Sequence, residues 1–580
     1  MAHHAWRSVV IRLVLLLLLT ASLTACGDPD LPRLVDDDQA LRLLQIARGP
    51  LTGYFHLQAP QVKVAGAIVT AHMADGNKYS TGVFDNDAAN AVQRAAEEMA
   101  SRYGKQIGEQ SCKLSVSLLR EPKRMWSTGL REKGLGYARG LYAVVVADEG
   151  KGYAFSDIAM HVNGLPLKSV VKALKRKKGV RMLGKSPKGG AFLAPTESFT
   201  EGENNTVVRL YRASTILPDI DSEAIREGCK LGGDYLCALL QDNNKFLYEG
   251  NVGRDKYNKN YNLLRHAGTC YSLYQLHLAT GVDRYRDVSD RAWIWLRKQL
   301  EFERDGDTIY AYPVENKVIK LGGTGLMLIA LSERLTISHS EDDLRLGKNL
   351  ANHIMRSLQE DGSFLSYWPH KGKKAKRRRS IYYPGEAMLG LMRFYAHNPD
   401  PRYVECVAKS AQYLIHERWR IIGLELTIPP DAWLMIALDE LHRVRPQKDY
   451  ADYCLKLADS MVNDQFDKDW EILYPDYRGG YFPYPPAVTP AGARMEGLTS
   501  AYLLAQRAGR DTTAIKRTIA LAARFQVERI IRPEFAHLYP NVERGLGAFR
   551  HSPVSNRIRI DYNQHNISGL LVAARILEEQ

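Results

Sequence analysis

Residues 386–417 read EAMLGLMRFYAHNPDPRYVECVAKSAQYLIHE and contain two helical patterns of different character. The pattern that begins at Glu386 is apolar and rich in small residues. A turn at 398–403 separates it from an amphipathic pattern at 404–417. A helix that is apolar on most of its surface is buried, whereas an amphipathic helix faces solvent on one side. This stretch therefore predicts an inner helix paired with an outer one.

The same alternation recurs through residues 218–580. Further apolar helices are predicted to begin near His266, Gly322, Asp431, Glu496 and His565. Amphipathic helices are predicted at 288–300, 450–462 and 514–528. The apolar segment 567–577 lacks a following outer helix, and the amphipathic segment 222–240 lacks a preceding inner one. Pairing these two closes a ring of six helical hairpins, so we expect an (α/α)6 barrel, with an open solenoid as the alternative.

Residues 38–215 mix strand and helix patterns. Apolar runs at 67–71, 114–118 and 141–146 predict strands, and an amphipathic helix is predicted at 88–103 with Asp87 as its N-cap. We therefore expect a mainly α protein, whose C-terminal (α/α)6 barrel is preceded by a smaller α/β domain.

Five stretches of this smaller region, taken in order, resemble the AMMECR family, which has an α/β fold. They are LLQIAR (43–48), GAIVTAHMADG (66–76), KLSVSLLREP (113–122), GLYAVVV (140–146) and RLYRAST (209–215). The chain has YSTGVF at 79–84, where that family has an Arg-Gly-Cys-Ile-Gly signature. We therefore interpret residues 38–215 as a scaffold or binding module.

Residues 1–26 have the pattern of a secretory signal, with Arg7 and Arg12 before an apolar run. The end, Leu-Thr-Ala-Cys at 23–26, resembles the lipobox of bacterial lipoproteins, which implies cleavage before Cys26 and lipid attachment to its thiol. Gly27 follows, so we expect lipid anchoring in the cell envelope, at the outer membrane, with the body facing the periplasm or the cell surface.

The chain has 580 residues, of which 45% are hydrophobic and 25% charged, which excludes a disordered or collagen-like protein. Its net charge of +14 favours an acidic partner. The predicted envelope location disfavours nucleic acid, so we expect an acidic polysaccharide. No Walker or Rossmann glycine pattern, HExxH motif or His/Cys cluster occurs, so neither a cofactor nor a metal is expected.

Polar residues recur where the predicted inner helices begin, and these helix N-termini meet at one end of a barrel. Long loops at one end of a rigid barrel are where sites form. The candidate catalytic residues are Glu386, Asp431, Glu496, Asp561, His266, His565, Tyr383 and Tyr562, and the candidate substrate-binding residues are Arg265, Trp433 and Arg494. Each acid or histidine could instead cap a helix or pack in the core. The case for a site depends on their recurrence at equivalent positions.

The closure and order of the repeats resemble the six-hairpin glycosidase and (α/α)6-toroid superfamily over about 218–580. This resemblance implies a carbohydrate-active enzyme. The run RIDYNQH at 559–565 is faintly similar to a segment near the end of glucuronyl C5-epimerases.

Three functions remain open. A glycoside hydrolase would use two carboxylates, with Glu386, Asp431 and Glu496 as candidates. A uronate lyase or C5-epimerase would use a Tyr or His base, and Arg494 or Arg265 would neutralise the uronate carboxylate. A non-catalytic glycan-binding or assembly protein is the third. Of these, the carboxylates favour the hydrolase.

The segment KGKKAKRRR at 371–379 lies in the loop before Tyr383. This segment, which includes Arg377, Arg378 and Arg379, is either a solvated loop or an electrostatic clamp that binds a polyanion.

Overall fold

The computed structural model describes residues 31–52, 60–108, 112–125, 138–148, 151–371, 379–418, 430–469 and 472–579. No helix among these residues has the length and apolar character needed to cross a membrane. Their six cysteines are all unpaired, and five of them are buried.

A nine-stranded sheet forms the centre of the N-terminal region. Its strands are β1 Gly66–Met73, β2 Lys78–Val83, β3 Cys112–Leu119, β4 Lys123–Arg124, β5 Tyr142–Asp148, β6 Lys151–Phe155, β7 Val180–Leu183, β8 Gly190–Glu201 and β9 Val207–Leu210. The order is β3-β1-β2-β7-β6-β5-β8-β4, with β9 on β8, and an additional pairing of β3 with β8 closes the sheet on itself. Only β2 and β7 pair in parallel.

Among the described residues, four helices accompany this sheet: α1 Asp37–Thr52, α2 Ala88–Ile107, α3 Asp157–Asn163 and α4 Leu167–Lys175. The predicted strands coincide with β1, β3 and β5. The predicted helix is α2, and Asp87 caps it by accepting a hydrogen bond from the backbone N–H of Asn90 at 2.9 Å. The local predictions are thus confirmed, and the AMMECR resemblance stays a prediction.

In the described part of the C-terminal region, twelve long helices are found. The outer ones are α5 Ser222–Ala238, α7 Asp283–Arg297, α9 Glu341–Arg356, α11 Pro401–His416, α13 Lys448–Asp464 and α15 Thr513–Val527. The inner ones are α6 Leu263–Thr280, α8 Leu321–Ile337, α10 Tyr383–Tyr395, α12 Ala432–Val444, α14 Val488–Arg507 and α18 Ile560–Glu578. Short elements lie in the loops: α16 Pro533–Ala536, α17 Val542–Gly545, β10 Glu249–Asn251, β11 Lys256–Tyr257, β12 Leu300–Asp305, β13 Thr308–Glu315, β14 Val318–Lys320, β15 Tyr367–Pro369 and β16 Arg557–Arg559.

The inner helices form a closed ring. Each packs on the next in the order α6, α8, α10, α12, α14 and α18, and α18 packs on α6. Helix α18 also packs on α5, which is the pairing predicted to close the barrel. Glycines allow close helix contact, since a Cβ at Gly325 would lie 2.6 Å from the backbone oxygen of Glu386. The predicted (α/α)6 barrel is therefore confirmed, and the open solenoid is excluded.

The N-terminal region docks on the end of the barrel where the inner helices begin. Arg212 forms an ion pair with Asp476 at 3.0 Å, in the loop before α14. Asn556, in the loop before α18, donates a hydrogen bond to the backbone oxygen of His161 at 2.8 Å. Two of the inner-helix loops are thus fixed to the N-terminal region.

Candidate active site

The site candidates lie at different depths of the barrel. Glu386 lies in the first turn of α10, Asp431 is the N-cap of α12, and Asp561 is the second residue of α18. A helix start was predicted near Glu496, but α14 begins at Val488, so Glu496 lies about two turns inside the helix.

Glu386 is buried and has no polar partner among the residues that the structure describes. Only 6% of it is exposed, and neither carboxyl oxygen has a hydrogen bond to a described residue. The oxygen Oε2 packs against Gly322, where a Cβ would lie 1.9 Å away. Burial, reinforced by the nearby Asp431 carboxylate, raises the pKa of Glu386 to about 8. Glu386 is therefore a neutral acid at pH 7, with a proton to donate.

His565 and Glu496 form a bonded pair. Nδ1 of His565 lies 2.7 Å from Oε2 of Glu496, and Oε1 of Glu496 accepts a hydrogen bond from the hydroxyl of Tyr271 at 2.6 Å. Gln564 donates to the same hydroxyl at 3.0 Å. Both oxygens of Glu496 are thus occupied, and the imidazole is fixed in orientation.

The second nitrogen of His565, Nε2, makes no hydrogen bond within the described chain. Burial lowers the pKa of His565, but the carboxylate of Glu496, with smaller contributions from Asp561 and from Glu386 when it is ionised, outweighs this effect, so the pKa is raised. Glu386 and His565 are close enough to shift each other's pKa. Nε2 is therefore available to exchange a proton with a bound molecule.

Trp433 packs beside this pair. Its ring centroid lies 5.8 Å from that of His565 and 6.2 Å from that of Tyr271, and only 8% of the residue is exposed. The indole therefore forms an apolar wall of the cluster.

Asp431 has structural partners for both oxygens. Oδ1 accepts the N-cap hydrogen bond from the backbone N–H of Leu434 at 3.2 Å, and Oδ2 forms an ion pair with Arg418 at 2.8 Å. Arg418 also donates to the backbone oxygen of Ile381, before α10. Asp431 thus ties the starts of α10 and α12 together.

Asp561 is neutralised by two arginines. Arg559 contacts both of its oxygens, at 2.5 and 2.9 Å, and Arg265 contacts Oδ2 at 3.0 Å. Arg265 also donates to the hydroxyl of Tyr248. Arg265 is brought to the open end of the barrel, but its charge is already shared with Asp561.

Arg494 is a buried cation stacked on an aromatic ring. Its guanidinium carbon lies 4.7 Å from the ring centroid of Tyr481, and 9% of the residue is exposed. It forms no ion pair within the described residues, and its Nε has no hydrogen-bond partner there. Burial lowers its pKa, partly offset by Tyr481, Asp464 and Tyr382. This unpaired charge fits an anionic group of a substrate.

The two candidate tyrosines are placed differently. The ring of Tyr383 lies 5.4 Å from that of Tyr367 and contacts the position of Gly322, next to Glu386. Burial raises its pKa, as does the hydroxyl of Tyr367. Tyr562 is 1% exposed and packs between Arg559, at 4.8 Å, and His551, at 5.4 Å. Only Tyr383 adjoins the acid of α10.

His266 points into the barrel wall. Its Nδ1 lies 2.5 Å from the hydroxyl of Tyr261, its Nε2 lies 3.0 Å from the backbone oxygen of Ala292 on α7, and its ring packs on Trp295. Burial lowers its pKa to about 3. The structure does not bring His266 to the cluster that is formed by Glu386, His565 and Glu496.

Three predicted residues, Cys26, Arg377 and Arg378, lie outside the described residues. Arg379 is described, and it donates a hydrogen bond to the hydroxyl of Tyr413 at 2.6 Å. The clamp function of residues 371–379 stays a prediction.

Sequence reasoning missed Tyr271, Arg418 and Arg559. Tyr271 lies two turns inside α6, where the apolar pattern hides it, although Tyr is a residue that needs a hydroxyl partner when buried. Arg418 follows the outer helix α11, where the amphipathic pattern gives no sign of a buried partner. No group of three or more potential metal ligands occurs among the residues described.

The chain was compared with known proteins. A scan against protein families finds no match, and a search of the curated proteins finds none either. Solved structures that resemble it include a D-mannose isomerase, with 15% identity, a TM-score of 0.45, and coverage of 62% of this chain and 97% of the other.

Two further neighbours are a cellobiose 2-epimerase from Bacillus thermoamylovorans B4167 (11% identity, TM-score 0.48, 61% and 98% coverage) and an inactive α-1,6-mannanase variant of Salegentibacter sp. HEL1_6 with α-1,6-mannotriose (13%, 0.44, 61% and 100%). These neighbours are six-hairpin glycosidase-like enzymes. Because these TM-scores are below 0.5, we base the function of this chain on its own site.

Proposed function

We propose that the barrel acts on an acidic polysaccharide by moving a proton at a sugar carbon, as a uronate lyase or C5-epimerase does. One observation carries this choice. Of the four candidate carboxylates, only Glu386 has both oxygens unoccupied among the described residues, while Asp431, Glu496 and Asp561 are each held by other side chains. Glycoside hydrolysis with two free carboxylates therefore fits this site less well than proton transfer between a carboxylic acid and an imidazole.

His565 acts as the base in this proposal. Its Nε2 removes the proton next to the uronate carboxylate, and the imidazolium that forms is stabilised by Glu496. Tyr271 holds the carboxylate of Glu496 in place. Glu386 supplies the matching proton, to a leaving oxygen or to the carbon, because its raised pKa keeps it protonated.

Arg494 binds the uronate carboxylate. An ion pair there stabilises the negative charge that develops in the carbanion-like transition state, which makes the neighbouring C–H more acidic. The absence of a carboxylate partner within the described residues leaves the guanidinium free for this contact.

Glycoside hydrolysis is the second candidate, and the neutral state of Glu386 favours it. A protonated carboxyl in a buried site is what the leaving oxygen of a glycoside requires. In that reaction the His565–Glu496 pair would activate a water molecule.

Proton NMR in D2O distinguishes these functions. The full chain is incubated with polygalacturonate, alginate, heparin and dextran. Deuterium at C5 or unsaturated uronate signals would support the proposal, whereas new reducing ends would establish hydrolysis instead. Binding without spectral change would make the barrel a glycan-binding protein. The Glu386→Gln variant should abolish any reaction, and Asp343→Asn, a buried ion-paired acid of α9, is the control.

We further propose that the chain is a lipoprotein anchored through Cys26 at the outer membrane. A Cys26→Ser variant should lose palmitate incorporation and membrane association. Retention of both would end this proposal.

A further inference from the structure

The N-terminal region carries a dense basic surface that no function above uses. Residues 165–190 contain nine lysines and arginines, from Lys168 to Lys188, and no acidic residue. All nine are exposed. None of the eight from Lys172 to Lys188 forms an ion pair with a described residue. These nine charges equal more than half of the net charge of +14 of the chain.

Helix α4 and strand β7 carry four of these side chains, and the turn between them and the segment after β7 carry the others. On α4, Val170 and Leu174 are buried, so Lys168, Lys172 and Lys175 project from the opposite side. The turn that follows carries three further charges at 176–178. Arg124, on strand β4, donates a hydrogen bond to the backbone oxygen of Gly189 at 3.0 Å, next to Lys188. We call the exposed basic side chains of residues 168–188 the basic face.

The basic face adjoins the rim of the barrel. The buried side of α4 shares one apolar core with Tyr474 and Tyr477, in the loop before α14. The same loop carries Tyr481, on which Arg494 stacks. One short segment therefore joins the surface under the basic face to the cation of the candidate site.

We propose that the basic face binds acidic polysaccharide and guides it to the barrel, which rests on the proposed function for the identity of the polymer. A row of exposed positive charges attracts a polyanion and raises its local concentration. No large apolar side chain is exposed among residues 165–190. This surface therefore has no exposed apolar side chain that could insert into a membrane and no exposed aromatic ring on which a nucleic-acid base could stack. An extended anionic glycan needs neither.

The test compares two variants with the same loss of charge. The first, K172Q/K175Q/K178Q/K188Q, removes four lysines of the basic face. The control, K298Q/K348Q/K409Q/K456Q, removes four exposed lysines from the outer wall of the barrel. Both are made in the full chain, and binding of polygalacturonate, heparin, dextran and vesicles of phosphatidylcholine with phosphatidylserine is measured between about 20 mM and 300 mM salt.

We expect the first variant to bind the acidic polymers about tenfold more weakly at low salt, with a shallower salt dependence, and the control to change by less than twofold. Equal losses in both variants, or unchanged binding in the first, would overturn the proposal. So would a loss confined to the vesicles, which would make the surface a membrane contact. If no polymer is ever turned over but the difference in binding persists, the proposed reaction fails while the basic face stands.

Discussion

His565 and Glu496 are joined by a 2.7 Å contact between Nδ1 and Oε2, and the hydroxyl of Tyr271 donates to the other oxygen of Glu496. A carboxylate on one nitrogen of an imidazole fixes its tautomer and leaves the second nitrogen for chemistry. The three side chains come from α14, α18 and α6, so the geometry depends on the closed ring of inner helices.

Replacing Glu496 by Gln should lower kcat about 10–100-fold, because the imidazole loses its fixed tautomer and the stabilisation of its charge. The loss should not add to that of His565→Gln, since both act in one step. Steady-state kinetics of the two single variants and the double variant provide the measurement. Independent, multiplicative losses would contradict the pairing.

Gly322 provides a test of Glu386 that removes no acidic residue from the chain. A Cβ at position 322 would lie 1.9 Å from Oε2 of Glu386, so Gly322→Ala must displace this carboxyl group. We expect a loss of kcat of at least tenfold, with circular dichroism unchanged. Gly323→Ala is the matched control, because its nearest contact is 3.3 Å, to Pro313. Equal activity of the two variants would remove Glu386 from the mechanism.

The pH dependence follows from two raised pKa values. Glu386 must stay protonated, so activity should fall as pH rises through about 8. His565 must lose its proton to act as the base, so activity should rise as pH rises through a pKa above 6.5. The profile of kcat/KM should therefore be a bell on the alkaline side of neutrality. A maximum below pH 6 would contradict this assignment.

The barrel could be predicted because apolar and amphipathic helices alternate in pattern, and burial follows from that pattern. The rotation of a side chain about its helix axis could not. His266 and His565 lie near the starts of equivalent inner helices, yet one ring packs on α7 and the other faces the cluster. Each residue along a helix turns the side chain by about 100°, so small shifts in the helix start reverse the direction. The ion pair of Arg418 with Asp431 joins segments whose contact no local pattern reveals.

Arg494 should govern the choice between acidic and neutral substrates. Arg494→Gln removes the buried cation and keeps hydrogen-bonding groups, so KM for a uronate oligosaccharide should rise about tenfold or more, with less effect on a neutral oligosaccharide. Arg507→Gln, at the far end of the same helix, is the control. Equal increases of KM for both substrates would show that position 494 affects folding of the loop and not the substrate charge.

His266 should affect stability and not chemistry. Both ring nitrogens are bonded in the wall, and the pKa in the folded state is about 3, well below the ordinary value of 6.5. The folded state therefore prefers neutral His266, and its contribution to stability, complete above pH 6.5, is lost as pH falls below that value.

His266→Gln should lower the free energy of unfolding by about 2–4 kcal/mol at pH 7, because a packed ring and two hydrogen bonds are lost. The destabilisation should shrink between pH 6.5 and 5, since the variant no longer pays the cost of keeping a histidine neutral. Urea unfolding at several pH values measures this loss of stability. The kcat of the folded fraction should change less than threefold. A hundredfold loss of kcat with normal stability would instead place His266 in the active site.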